Sequence, residues 1–212
     1  MPTHSWADQI AAYAEAARAV TSLVAAIDDP AAPGLGEWTV VELAGHTLRA
    51  LTTVERYLEA APVDGPHLED AAAYVTRYLG ARDDDPGGTD AAVAARGREE
   101  SAALGDDPAA VFAATFARVV VRLDTVDPDT VIPTAWESIR IDDYLRTRVM
   151  ELVLHGLDLA AALDVDWDPP AAALADTVLL LTEVAMRRGH GADLARLLAG
   201  RPATAAVLPV IR

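Results

Sequence analysis

The feature that most constrains the fold is the helical spacing of apolar residues along most of the chain. In residues 5–27 the apolar side chains recur at steps of three and four, which places them on one face of a helix. Comparable amphipathic segments follow Thr39, Asp107 and Asp142, and residues such as Pro and Gly separate them. Four long amphipathic helices favour an all-α helical bundle, a fold that commonly builds metal sites in its core.

Several helix starts carry recognisable capping signals. Thr39 and Glu42 form a T-x-x-E capping box, in which each side chain satisfies an otherwise unpaired backbone N–H group. Asp107 followed by Pro108 has the form of an N-cap and a first-turn proline. Asp142 is placed to cap the next helix, which we expect to end near residue 163. These signals fix where three of the predicted helices begin.

The segments between these helices are less regular. Residues 68–104 predict two short helices around a break at 82–90, and the acidic run 83–85 within that break is most simply a solvated loop. Residues 126–141 predict an irregular or partly extended connection.

The C-terminal part is predicted to be an extension of the bundle. We divide the chain into a bundle over residues 1–168 and an extension over 169–212 that packs on it. The extension holds a helix ending at Gly189, a short helix over 192–199, and a tail over 203–212 that forms a strand or an apolar cover.

Composition excludes several classes of partner. The formal net charge is −16, which opposes binding to nucleic acid or to an anionic membrane surface. The chain has no cysteine, so it has neither a disulfide nor a protein thiol. The N-terminal residues lack a basic segment followed by an apolar run, so we expect no secretory signal and a cytoplasmic protein. A homodimer is compatible with the sequence.

Residues 148–158, RVMELVLHGLD, interrupt an apolar helix with charged side chains. On a helical wheel the polar residues of this region share one arc of about 100°. They are Tyr144, Thr147, Arg148, Glu151, His155 and Asp158. Two interpretations stay open on this helix alone: the stripe faces water, or it faces a polar pocket inside the bundle.

Glu151 and His155 are spaced for metal binding. Residues four apart on a helix have Cβ atoms roughly 5–6 Å apart, so the two side chains can hold one ion from consecutive turns. A third ligand must come from another helix. His46 is the best placed, one turn into the capped helix and at the border of its apolar face, although a lone histidine there is more often a packed core residue.

Two segments resemble a known family. EWTVVELAGHTLRA (37–50) and DYLRTRVMELVLHGLDLAAAL (143–163) are similar to the N-terminal domain of mycothiol-dependent maleylpyruvate isomerase, one of the DinB-like metal-binding bundles. The resemblance covers roughly residues 5–165. It implies an antiparallel four-helix bundle with a divalent metal near one end, usually zinc, held by His46, Glu151 and His155.

The resemblance also implies chemistry. Two histidines and one glutamate leave zinc an open position, as in catalytic sites. The net positive charge favours a bound thiolate, and because the chain lacks cysteine the thiol must come from a cofactor, which is mycothiol in family members. Asp158 is expected to contact the metal ligands and hold them in place. The alternative is that it accepts a hydrogen bond from a helix terminus or from an arginine elsewhere. Arg148 is expected to lie beside Glu151 and support it as a metal ligand. The alternative for both residues is a plain Glu–Arg ion pair.

Three functions remain open from the sequence. The first is a metal enzyme in which a small thiol attacks an electrophilic substrate, by S-transfer or by thiol-assisted cis–trans isomerisation. The second is a metal-dependent hydrolase or lyase without a thiol, and the third is a non-enzymatic stress protein that binds a metal or a small ligand. Arg187, Arg188 and Arg201 are weak candidates for binding the substrate or cofactor, and each is equally a solvated surface cation. The isomerase has a larger C-terminal domain that contributes to its substrate site, and the resemblance does not extend to that domain. The sequence therefore does not identify the substrate.

Overall fold

A computed structural model describes residues 5–61 and 63–203, except for the side chain of Asp90. It confirms an all-α fold of the DinB-like type, with one two-stranded sheet of minimal length among the described residues. The helices are α1 (Trp6–Val24), α2 (Val40–Glu59), α3 (Ala71–Asp84), α4 (Pro86–Ala103), α5 (Pro108–Leu123), α6 (Ile141–Ala162), α7 (Ala171–Arg187) and α8 (Gly191–Leu198). The strands are β1 (Val131–Ile132) and β2 (Ile139–Arg140), paired antiparallel.

The central bundle consists of α1, α2, α5 and α6, which pack against one another around a single apolar core. Burying this apolar surface is the main force that holds the helices together. Its largest fully buried side chains include Tyr13 of α1, Leu43 of α2, Phe112 of α5 and Tyr144 of α6. The two tyrosine hydroxyl groups keep hydrogen bonds inside the core, because Tyr13 donates to the Ala50 carbonyl at 3.0 Å and Tyr144 bonds the hydroxyl of Thr53 at 2.8 Å.

The capping signals of α2 and α5 are confirmed. Thr39 and Glu42 make the reciprocal capping box that starts α2, and the Asp107 side chain accepts a hydrogen bond at the start of α5, where Pro108 is the first helical residue. The cap predicted at Asp142 is wrong. The helix begins two residues earlier than that cap requires, with Arg140 as N-cap, and Asp142 lies in the first turn, where its negative charge favours the helix N-terminus.

The region between α2 and α5 is more helical than its sequence pattern indicates. The predicted break at 82–90 shrinks to Asp85 alone, which ends α3 and caps α4 with its side chain. Two residues of the acidic run, Asp83 and Asp84, therefore belong to the last turn of α3 rather than to a solvated loop. The second of the two predicted short helices is in fact α4, with 18 residues.

Helix α4 lies against α2 with unusually close backbones at Gly45. A Cβ atom at this position would be 2.5 Å from the backbone nitrogen of Ser101 in α4, so no larger residue fits without moving the helices apart. This crossing brings α4 over the part of α2 that carries the next residue, His46.

The connection over 126–141 is partly extended, as predicted, and forms the β1–β2 hairpin. In the C-terminal part, α7 packs on α6, α3 and α1, and α8 packs on α7. Gly189 ends α7 with a positive φ of 82°. The division into two domains stays a prediction, and the predicted strand or cover over 203–212 lies, after residue 203, outside the described residues. No helix within 5–61 or 63–203 is long and apolar enough to cross a membrane.

Candidate metal centre

Three side chains from two helices of the bundle converge on one point. His46 comes from α2, and Glu151 and His155 come from consecutive turns of α6. Each offers one ligand atom, and these atoms all lie within 4.8 Å of one another. The polar stripe of α6 thus faces inward: Thr147 and Arg148 are buried, and the Glu151 and His155 side chains are only 29% and 16% exposed. The alternative of a stripe facing water does not hold for this part of the helix.

His155 lies between two carboxylates of its own helix. Its Nε2 atom is 3.1 Å from Glu151 Oε2, and its Nδ1 atom is 3.1 Å from Asp158 Oδ2. Burial alone would lower the pKa of His155, but the hydrogen bonds with Asp158 and Glu151 outweigh burial and raise the pKa to about 9. Burial alone would raise the pKa of Glu151, but the same His155 contact and the charge of Arg148 hold it far below its usual range.

His46 stays neutral beside this charged pair. Burial, reinforced by the positive charge of His155, lowers the pKa of His46 to about 3. Its ring lies 4.6 Å from the Trp38 ring and 4.8 Å from the His155 ring, measured between centroids. Its Nδ1 atom is buried and has no hydrogen-bond partner among the described residues.

Arg148 supports the site from one turn earlier on α6. Its guanidinium lies over the ring of Tyr144 at 4.7 Å and over that of Tyr74 at 6.0 Å, and its Nε atom donates to Thr147 Oγ1 at 3.1 Å. Its Nη2 atom is 3.8 Å from Glu151 Oε1. Because the aromatic rings fix the guanidinium, it orients the glutamate oxygen that does not contact His155.

A glycine stands next to each histidine ligand, and each permits a close contact. Gly45 admits the backbone of α4 at Ser101, as described above. Gly156 admits the indole of Trp167, whose ring carbons lie as close as 2.5 Å to the position of an added Cβ. The close neighbour at Gly156 is thus a tryptophan from the segment after α6 rather than another helix.

The donor set fits a divalent metal ion. Ligands of one tetrahedral zinc ion lie roughly 3.3–3.5 Å apart, as bond lengths of about 2.0–2.1 Å require. The three atoms here lie within 4.8 Å of one another, which is near that spacing. The buried His46 Nδ1 atom supports the fit, since a buried polar atom without a partner is costly unless something binds there. Asp158 accepts from His155 Nδ1, the arrangement that orients a histidine ligand and leaves Nε2 for the metal.

A cavity of about 750 Å³ opens onto the three ligands. Its apolar wall combines aliphatic side chains with four aromatic ones, Trp38, Tyr74, Tyr78 and Trp136. Its polar wall holds five arginines, contributed by α2, α3, α4 and α6. They are Arg49, Arg82, Arg96, Arg98 and Arg148. The site therefore combines three potential metal ligands at one end with space for an organic ligand.

The structure does not bring Arg187, Arg188 or Arg201 to this cavity. Arg187 pairs with Asp70, Arg188 lies 2.9 Å from Asp83, and Arg201 is exposed beyond α8. Their role in binding a substrate or cofactor stays a prediction that no contact of the cavity supports.

Apart from Arg148, the sequence analysis did not identify the residues of the cavity wall, although one signal could have found some of them. Trp38 immediately precedes the capping box of α2, and Arg49 follows His46 by one turn on the same helix, so both share the ligand's side of α2. Arg96 and Arg98 had no such signal, because only the packing of α4 on α2 brings them to the site.

Residues 10–160 match the sequence model of the family described as "Mycothiol maleylpyruvate isomerase N-terminal domain". The match spans well over half of the chain. The chain belongs to this family. The matched range includes His46, Glu151 and His155, and the resemblance noted in the sequence is thereby confirmed. No curated protein and no solved structure gives a significant match. The chain is thus related to the mycothiol maleylpyruvate isomerase N-terminal domains, and it carries a His–Glu–His group that could hold a metal ion.

Proposed function

We propose that the protein is a zinc-dependent enzyme that uses a small-thiol cofactor, such as mycothiol, against an electrophilic substrate. The product arises by S-transfer to the electrophile or by thiol-assisted cis–trans isomerisation. The single observation that supports this most is the convergence of His46, Glu151 and His155 at the end of a cavity large enough for an organic molecule.

The donor set favours a catalytic role over a structural one. Structural zinc sites close the ion with four protein ligands, whereas two histidines and one glutamate leave a position open. When bound, a divalent ion there supplies positive charge that stabilises a thiolate and lowers the pKa of the thiol. The chain has no cysteine, so a thiol has to be brought by a cofactor, and family membership points to mycothiol.

The chain's own residues have positioning roles in this proposal. Asp158 accepts a hydrogen bond from His155 Nδ1 and so fixes the ring with Nε2 toward the cavity. Arg148 orients Glu151, and Trp38 packs on the His46 ring and limits its rotation. These contacts hold the three donors in place before a ligand enters, which reduces the cost of ordering them.

Cobalt substitution tests the thiol directly, because a cobalt(II)–thiolate bond adds intense absorbance in the near ultraviolet. Cobalt-loaded protein is titrated with mycothiol, alongside His155→Ala and, as the matched control, His190→Ala at the start of α8 outside the cavity wall. We expect thiolate absorbance in the parent protein and in His190→Ala, and none in His155→Ala. Binding of cobalt with no spectral change at saturating mycothiol would refute the thiol and favour metal-dependent hydrolysis or a binding role.

A further inference from the structure

The outward side of α7 is apolar although it lies at the surface. On a helical wheel one arc of about 120° forms this side, which we call the outer face. Val178 and Met186 on the outer face are 53% and 63% exposed, whereas Ala185 is buried. The remaining residues of the face are all uncharged and at least half-exposed, and they are Ala171, Leu174, Ala175, Val178, Thr182 and Met186.

The charged residues of α7 all turn toward the rest of the chain. Asp176 and Glu183 pair with Arg146 of α6, and Arg187 pairs with Asp70 at the start of α3. The inner side of α7 packs on α6, α3 and α1 through buried residues. The helix therefore presents apolar side chains outward as well as inward, a composition typical of a helix that is covered on both sides.

An exposed valine on another helix shows the contrast. Val121 on α5 is 68% exposed, but Arg118 lies one turn before it and Arg122 follows it directly. Single apolar side chains among charges are ordinary on a protein surface. The outer face of α7 has no charged residue over its 17 residues, a length of about 25 Å.

The size of the apolar surface sets the strength of any association. The outer face covers on the order of 300 Å² in projection. The adjoining helix α8 packs on α7 and adds the exposed Leu197 and Leu198. A standard protein–protein interface buries roughly 800 Å² on each partner, so this surface suits an interface at the small end of the range. We therefore expect dissociation constants in the micromolar range.

The outer face is complementary to itself. In an antiparallel pair of α7 helices with a two-fold axis beside Val178, Ala171 faces Met186 of the second copy, and Ala175 faces Thr182. Small side chains thus lie opposite larger ones along the whole stripe, which lets the two helices interdigitate. A two-fold interface needs a surface of this kind, whereas an unrelated partner does not.

Charge favours a second copy as well. Each chain carries a formal net charge of −16, so two copies repel one another over most of their surface. They can approach closely only where neither presents a carboxylate, because like charges brought together at an interface cost several kcal/mol. The outer face of α7 meets that condition.

We propose that the protein forms a two-fold homodimer in which the outer face of α7 packs antiparallel against the same face of a second copy. None of the residues of the outer face lines the cavity at the candidate metal centre. The inference goes beyond the proposed function and does not depend on it, since dimerisation requires neither metal nor thiol.

Sedimentation velocity of the full chain, from about 5 to 500 μM, tests the proposal. We expect the mass to rise with concentration from that of one chain, 22.3 kDa, toward twice that value. Sodium chloride should strengthen the dimer, because salt screens the repulsion between the two negatively charged copies. A monomer over the whole range, or a dimer that salt dissociates, would overturn the proposal.

Val178→Glu places two carboxylates beside the two-fold axis and should weaken the dimer at least about tenfold. Val121→Glu is the matched control, because it makes the same change at an exposed valine of α5, and it should dimerise like the parent. Unchanged dimerisation of folded Val178→Glu would refute the assignment to α7. A monomeric parent whose melting temperature falls in Val178→Glu but not in Val121→Glu would show that the same chain covers this face, and would also refute it.

An engineered disulfide checks the register, because the chain has no cysteine of its own. Val178→Cys should form a disulfide-linked dimer on mild oxidation, since the two copies of this residue adjoin at the axis. Val121→Cys should stay largely monomeric under the same conditions. Equal cross-linking of the two variants would contradict the antiparallel arrangement.

Discussion

Replacing Gly45 by alanine should separate α2 from α4 and destabilise the protein. An added Cβ would lie 2.5 Å from the backbone nitrogen, 2.6 Å from the Cα and 2.8 Å from the Cβ of Ser101. Ordinary contacts of this kind begin near 3.4 Å. The obstacle is mainly backbone, which no change of rotamer can relieve, so α4 has to retreat by about 1 Å.

The expected magnitude follows from two opposing effects. Overpacking a close helix contact lowers the free energy of unfolding by about 1–3 kcal/mol. Replacing glycine by alanine inside a helix raises it by up to about 1 kcal/mol. We therefore expect Gly45→Ala to lower the free energy of unfolding by about 1–2 kcal/mol. For a chain of this size the melting temperature should fall by about 2–8 °C.

Gly97→Ala is the matched control, because Gly97 also lies between α4 and α2. An added Cβ there would meet the Cβ of His46 and the ring of Trp38 at 3.5 Å, which is an ordinary contact. This substitution should raise the free energy of unfolding by up to about 1 kcal/mol through helix propensity. Urea and thermal unfolding followed by circular dichroism measure both variants. An unchanged or raised free energy of unfolding in Gly45→Ala would refute the close crossing at Gly45.

Three further predictions concern the site and the end of α6. Metal binding should release about one proton from His155 and strengthen as the pH rises toward 9, the pKa of that residue, because the ligand must be neutral. Calorimetry in two buffers measures the number of protons released. A metal affinity independent of pH between 7 and 9 would contradict the prediction. Asp158→Ala should weaken zinc affinity about 10–100-fold, because His155 Nδ1 loses its hydrogen-bond partner. The control Asp166→Ala, on the exposed segment after α6, should leave zinc affinity unchanged. Equal zinc affinities of the two variants would count against a role of Asp158 in positioning His155. Asp164→Gly should raise the free energy of unfolding by up to about 1 kcal/mol, because Asp164 has a φ of +53°, which glycine adopts more readily. A lower free energy of unfolding in urea would contradict this prediction.

The parts of the fold that depend on local chemistry could be predicted from the sequence. The capping box of Thr39 and Glu42 and the Asp107–Pro108 start use contacts within one helical turn, so their residues suffice to identify them. The ligand pair Glu151 and His155 is similar, because its geometry is set by one helix.

Helix α4 could not be predicted at its full length because it lacks a strong apolar face. Its sequence is rich in Ala, Gly and charged residues, so hydrophobic periodicity gives little signal. The start at Asp85 and Pro86 had a local signal, an N-cap followed by a first-turn proline, but the neighbouring acidic residues and glycines indicated a loop more strongly.

The cationic wall of the cavity also required the tertiary structure. Arg49 and Arg96 are far apart in sequence, and the packing of α4 on α2 brings them together. The sequence analysis instead named Arg187 and Arg188, with Arg201, as weak candidates for binding a substrate or cofactor. In the structure they pair with Asp70 and Asp83, acidic residues of the α3 region that no local pattern relates to them.

Metal content tests the central claim most directly. The protein is purified without added metal, equilibrated with zinc, freed of excess and measured by elemental analysis, together with His46→Ala, Glu151→Gln, His155→Ala and the control His190→Ala. The converging ligands predict about one zinc per chain in the parent and the control, and little or none in the three ligand variants. Unchanged zinc in folded ligand variants, or none in the parent protein, would contradict a metal centre formed by these residues.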